Sequence, residues 1–169
     1  YCRVLEIAAS KSSSEIMMKK WVSLLDETLN SEMDLHRNFC KDFGIPLSNL
    51  EKTEADTSTN NYCDFLINNA NKNSEKFIAI SLLPCQWGYQ DIAQNFVKNN
   101  LKRDSFHKIW VDSYSSQEYQ DVTNWLRNYV DEIGKNLNKK GIENCKELFR
   151  LGIEYEIGFW DSAWNFSNK

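Results

Sequence analysis

Apolar residues recur at three- and four-residue steps through almost the whole chain, and apolar/polar alternation is nowhere sustained. A step near 3.6 places those residues on one face of an α-helix, whereas a strand needs a period of two. The opening stretch Tyr1–Ser10, with Val4, Leu5, Ala8 and Ala9 apolar, reads as the later part of a helix because no capping residue precedes it. Ser12–Ser14 punctuate the chain, and Ser14 is placed to cap a long helix over 15–43. Its predicted face is Met18, Trp21, Val22, Leu25, Leu29, Met33 (with Leu35), His36 and Phe39. Gly44 then supplies a C-terminal left-handed residue and Pro46 prevents continuation.

A polar connection over 47–58 holds at most one short turn at 48–51, after which Thr57 or Ser58 caps a helix through Tyr62, Phe65, Leu66 and Ala70. The asparagine-rich run 68–73 is expected to end it. From about Glu75 to Val97 the pattern predicts another long helix, with Ile78, Leu82, Cys85, Tyr89, Ile92 and Phe96 on one face. Pro84 interrupts it: the residue lacks the N–H that Ile80's carbonyl would receive, and an interior proline costs about 3 kcal/mol. After a polar loop over 98–104 come a short helix over 106–114 and a longer one capped by Ser115 or Ser116. The latter carries Val122, Trp125, Leu126, Tyr129, Val130 and Ile133. Following a loop over 136–140 closed by Gly141, a last helix runs from about Glu143 to Asn165. The fold class expected is therefore all-α, a helical bundle.

With 169 residues the chain suits one domain with one sizeable core, and 13% aromatic residues argue for a packed globule over disorder. A net charge of −4, with lysines and arginines scattered in small groups, makes nucleic acid an unexpected partner. No apolar run approaches the ~20 residues of a membrane span. The five cysteines form no zinc-knuckle or redox spacing. With no secretory leader visible, a cytoplasmic protein with reduced thiols is expected.

Chemistry concentrates in two places. On the last helix Phe149, Ile153, Glu156, Trp160 and Ala163 (with Trp164) share a face on which only Glu156 is charged. Such a carboxylate is either an acid/base whose pKa is raised by desolvation or a structural group accepting hydrogen bonds from aromatic neighbours. Beside Pro84, Cys85 is either a core thiol or a nucleophile, with Tyr89 one turn further on. Tyr62, Tyr89 and Tyr114, taken singly, suit a core edge as well as a ligand pocket. Glu32 and His36, four residues apart on one helix face, look like half of a carboxylate-bridged di-iron motif, but such a site needs two Glu-x-x-His motifs, and the only other histidine, His107, follows Asp104 rather than a glutamate at that spacing. No metal site is expected, and Glu32–His36 reads as a hydrogen-bonded pair.

Taken together, Leu82-Leu83-Pro84-Cys85-Gln86-Trp87-Gly88-Tyr89, the preceding Glu32-Met33-Asp34-Leu35-His36, the Tyr114-Ser115-Ser116 segment and Tyr155-Glu156-Ile157-Gly158-Phe159-Trp160-Asp161-Ser162-Ala163-Trp164 resemble the TenA/thiaminase II family, in its cysteine class. The resemblance covers the whole chain in order and spacing. It implies a single helical domain over 1–169 with a haem oxygenase-like fold, shortened at its N-terminus relative to the family, and a homotetramer. It also implies cofactor-free thiamin salvage: hydrolysis of 4-amino-5-aminomethyl-2-methylpyrimidine, and in some members thiamin, to the hydroxymethylpyrimidine. By position Cys85 matches the family nucleophile and Glu156 its acid/base, while Tyr62, Tyr89, Tyr114 and Phe159 match residues lining the pyrimidine pocket. A family aspartate that binds the aminopyrimidine edge falls, by spacing, immediately before Tyr1, and a tyrosine three positions later falls on Arg3. The alternative expectation is accordingly a catalytically impaired pyrimidine-binding or regulatory relative.

Overall fold

The computed structural model describes residues 1–167, with side chains through Asn165. Helices follow one another along the chain and no strand occurs among the described residues, so the fold is all-α. They are α1 (Cys2–Ser10), α2 (Glu15–Glu27), a π-helical turn (Thr28–Glu32), α3 (Met33–Asp42), α4 (Leu47–Leu50), α5 (Thr57–Lys72), α6 (Glu75–Lys98), α7 (Ser105–Tyr114), α8 (Gln117–Lys135) and α9 (Lys139–Ser167). The chain divides into two compact units, Tyr1–Glu75 and Lys76–Lys169.

In the first unit α1 packs against α2 and α5, and Val4, Leu5, Ala8, Ala9, Trp21, Leu24, Leu66 and Ala70 are buried. Ser14 caps α2 as its sequence suggests, its hydroxyl accepting from the Met17 N–H at 3.2 Å. The expected uninterrupted helix over 15–43 is instead broken by the π-helical turn. At its start the Leu24 carbonyl accepts both the Thr28 N–H and the Thr28 Oγ1 hydroxyl, the latter at 2.8 Å, back-bonding of a kind that bends helices. The buried face is only partly the predicted one: Trp21 is buried as expected, but Leu24 and Thr28 are buried beside it while Met18, Val22 and Leu29 are exposed. α3 ends as expected. Gly44 has φ +74°, the Gly44 N–H bonds the Lys41 carbonyl and the Ile45 N–H bonds the Cys40 carbonyl, a Schellman closure. His36 Nε2 lies 3.9 Å from Glu32 Oε1, too long for the hydrogen bond expected there.

Asp56, rather than Thr57 or Ser58, caps α5, accepting from the Thr59 N–H at 2.7 Å. The helix ends within the asparagine-rich run as expected, at Lys72, with Asn73 as its C-cap. Its final carbonyls are gathered by Lys11, whose Nζ donates to Ala70, Asn71 and Asn73 at 2.6, 2.9 and 2.8 Å. A cation at a helix C-terminus also opposes the negative end of the macrodipole. Deeper, the Trp21 indole N–H donates to the buried Glu75 carboxylate at 2.9 Å. Replacing Glu75 with Ala removes that acceptor and should lower stability by about 1–3 kcal/mol, since a lost buried partner carries a desolvation penalty. A lower urea midpoint at unchanged slope is the expected result.

The second unit contains α7, α8, α9 and nearly all of α6. α6 runs as one helix through Pro84 and is buried almost all round from Ile78 to Pro84, while Ile92 on the same predicted face is exposed. α7 starts at an Asp104 cap that accepts from the His107 N–H. This bond lowers the Asp104 pKa from its ordinary value. Of the two serines expected as caps, Ser116 caps α8, its hydroxyl accepting from the Tyr119 N–H at 3.2 Å. α9 begins at Lys139, four residues before the expected Glu143, and Gly141 lies within it.

Candidate active site

Cys85, Tyr89, Tyr114, Glu156 and Phe159 all belong to the second unit. Tyr62 belongs to the first, half-buried on α5 with its ring stacked on Phe65 at 6.5 Å between centroids.

Two contacts fix the part of α6 that bears Cys85. Gln86, the next residue, is buried and its Nε2 donates to Thr123 Oγ1 on α8 at 3.1 Å. Thr123 Oγ1 in turn donates to the Tyr119 carbonyl at 2.9 Å. On the other side Pro84 meets α9 at Gly152, where a Cβ would stand 2.7 Å from the proline Cγ. The half-buried Cys85 therefore sits between two residues that join its helix to different neighbours.

One turn on, Tyr89 is the centre of an aromatic group. Its ring lies 5.8 Å from Trp110, 5.1 Å from Tyr114 and 5.6 Å from Trp160, separations at which tilted pairs attract. Tyr114, the last residue of α7, is buried and also meets Tyr119 edge-on at 5.0 Å. The cluster is rooted on Ala93 and Val111, both fully buried.

Between α6 and α9 opens a cavity of about 560 Å³. Its walls are Pro84, Trp87, Tyr89 and Ile92 of α6 and Phe149, Ile153, Ile157 and Trp160 of α9, with the carboxylates Asp91, Glu156 and Asp161 at its surface. Trp87 is held from α8 by Arg127, whose guanidinium carbon is 4.0 Å from the ring centroid. Tyr89 and Glu156 thus face one cavity; Cys85, Tyr114 and Phe159 do not line it, though Cys85 adjoins its Pro84 wall and Tyr114 backs Tyr89. The predicted α9 face around Glu156 is open: Ile153, Trp160 and Trp164 are 40%, 43% and 71% exposed, and Glu156 is half-buried. An apolar wall with a few convergent polar groups is the general form of a small-molecule site. Among the described residues no group of three or more His, Cys, Asp or Glu side chains is arranged to hold a metal ion. No described helix is long and apolar enough to cross a membrane.

The sequence pattern points to Trp160 and to the one-turn spacing of Trp110 and Tyr114. It gives no sign that Trp87, Asp91 and Asp161 share a cavity with Glu156, because period alone does not tell which helix faces meet.

The sequence profile of the TENA/THI-4/PQQC family matches residues 1–166. The chain belongs to this family. The aminopyrimidine aminohydrolase of Helicobacter pylori is 30% identical to it over 165 residues, 97% of this chain and 76% of that protein. The aminopyrimidine aminohydrolase of Halalkalibacterium halodurans is 31% identical over 166 residues, 98% of this chain and 74% of that one. Among solved structures, the TenA homologue protein from P. horikoshii OT3 superposes with a TM-score of 0.86 at 25% identity, over 97% of this chain and 75% of that chain. The TENA/THI-4/PQQC assignment and the all-α fold therefore agree with what the sequence resemblance implied.

Proposed function

We propose that this chain is a hydrolase of thiamin salvage that converts 4-amino-5-aminomethyl-2-methylpyrimidine to its 5-hydroxymethyl counterpart, with Cys85 as nucleophile and Glu156 as acid/base. The observation that carries the reading is that Tyr89, on the helix that bears Cys85, and Glu156 face one aromatic-walled cavity. Family membership and the names of the two aminohydrolase relatives support the reaction class. One continuous family match over residues 1–166 supports treating the chain as a single functional domain.

In this reading the Cys85 thiolate bonds to an electron-poor ring carbon while Glu156 gives a proton to a ring nitrogen. The electron-rich adduct expels the substituent on the methylene, which takes a proton and leaves as ammonia, so that the ring carries an exocyclic double bond. Water adds to that exocyclic carbon and gives up a proton, replacing the one that left with ammonia. The carbon–sulfur bond then breaks, the ring nitrogen returns its proton to Glu156, the ring regains aromaticity and the thiolate is restored. Tyr89 meets the pyrimidine from the cavity wall with Tyr114 packed behind it, and Phe159, by its family position, is a further substrate-binding residue. The five free cysteines suit a reducing cytoplasm. The exposed apolar residues Ile16, Met18, Val22 and Leu29 on α2 and the following turn suit self-association into the proposed tetramer.

Incubation of the purified chain with the aminomethylpyrimidine, and separately with thiamin, followed by mass spectrometry of the products, tests the reading. Ammonia and the hydroxymethylpyrimidine are expected from the first substrate. Saturable pyrimidine binding without product would favour a binding or regulatory relative instead.

A further inference from the structure

We infer that Pro84 and Gly152 form a positioning pair that sets the distance between the helix carrying Cys85 and the helix carrying Glu156. The inference rests on the proposed roles of those two residues. Glycine inside a helix is unfavourable relative to alanine, and α9 nonetheless has Gly152 where it meets Pro84 of α6. A Cβ there would meet Pro84 Cγ at 2.7 Å, Pro84 Cβ at 3.3 Å and the Ser81 carbonyl oxygen at 3.5 Å. Gly88 and Gly158, also within these two helices, have nothing within 4 Å of the same position. The absent side chain at Gly152 is thus matched to a particular obstacle, and the obstacle is a closed ring that cannot swing aside as a long side chain would.

The location gives the contact its consequence. Pro84 is bonded to Cys85, and Gly152 precedes Glu156 by four residues, roughly 6 Å along a helix axis. Carbon atoms pack best at roughly 3.5–4.0 Å, so a methyl group at Gly152 would force α6 and α9 apart by roughly 1 Å. A misplacement of that size can lower a rate by ~10²-fold when two groups must act on one substrate. Both helices would stay intact, and the substrate would still find its aromatic wall.

The test is a double-mutant cycle in the full chain: Gly152→Ala, Pro84→Ala and the pair, each with kcat and KM for the aminomethylpyrimidine and with the alkylation rate of Cys85 by iodoacetamide, read by peptide mass spectrometry. Gly152→Ala should lower kcat by ~10²-fold with KM changed less than about three-fold. Because Pro84→Ala removes the Cγ that the new methyl would strike, the double variant should recover to within a few-fold of Pro84→Ala alone. The Cys85 alkylation rate should show the same loss or gain in Gly152→Ala and the same return. Additive effects, with no recovery in the double variant, would overturn the inference, as would a Gly152→Ala protein with unchanged kcat. Alkylation needs no substrate, so coupling in alkylation with no turnover by the wild-type protein would uphold the pair and reject the hydrolase reading.

Discussion

Cys85→Ser should reduce kcat for the aminomethylpyrimidine by at least about 10³-fold while leaving the protein folded. The hydroxyl is close in size to the thiol, so the packing between Pro84 and the Gln86–Thr123 joint should persist. What is lost is the thiol, whose ionised form is a strong nucleophile; a serine hydroxyl is far weaker without a dedicated base. The effect should be confined to this cysteine. Cys63 is exposed on α5, and Cys63→Ser should leave activity within about two-fold, as surface substitutions usually do. Burial pushes the Cys145 thiol up from its ordinary value, so Cys145 should react slowly with alkylating agents and add little background at neutral pH. A Cys85→Ser variant that kept more than a tenth of the wild-type kcat would remove the nucleophile from the scheme.

Glu156→Gln is the second large effect. The amide preserves the shape and much of the hydrogen bonding of the carboxylate but can neither donate nor receive a proton in turnover. General acid–base catalysis is worth ~10²–10⁴-fold, and a fall in kcat of that order is expected. The pH–rate profile separates this role from a structural one. If Glu156 moves the proton, the limb of the profile that it governs should disappear in the variant, and KM should change little. A purely structural carboxylate would instead show a variant with lower thermal stability and an unshifted profile. The position of Glu156 on a half-exposed cavity wall, next to the exposed Ile157 and Trp160, leaves room for an amide without repacking.

The sequence discloses what is local. Ser14, Gly44 and Ser116 act within four residues of themselves, through a cap or a left-handed turn, and each does in the structure what its type suggests. The π-helical turn at Thr28–Glu32 is not legible, because the apolar pattern runs through it without a break. Asp56 is hidden as the α5 cap because two later hydroxyl residues offer the same chemistry. Gly141 resembles a loop residue, although Asn138, whose Oδ1 accepts from the Gly141 N–H at 2.9 Å, is a capping type that marks a start at Lys139. The candidate site is legible to the extent that its residues share helix faces or match a family order: Cys85 with Tyr89, Trp110 with Tyr114, and Glu156 with Trp160. The meeting of Tyr89 with Trp110 and Trp160, and of Pro84 with Gly152, depends on how helices far apart in sequence cross, which hydrophobic periodicity does not encode.

The measurement that bears most directly on the central claim is turnover of the aminomethylpyrimidine in ¹⁸O-labelled water, wild type beside Cys85→Ser, with the product mass read by spectrometry. The account predicts a hydroxymethylpyrimidine carrying one ¹⁸O from the wild-type protein and none formed above the uncatalysed background by Cys85→Ser. Absence of product from the folded wild-type protein, or labelled product formed equally fast by the variant, would contradict it.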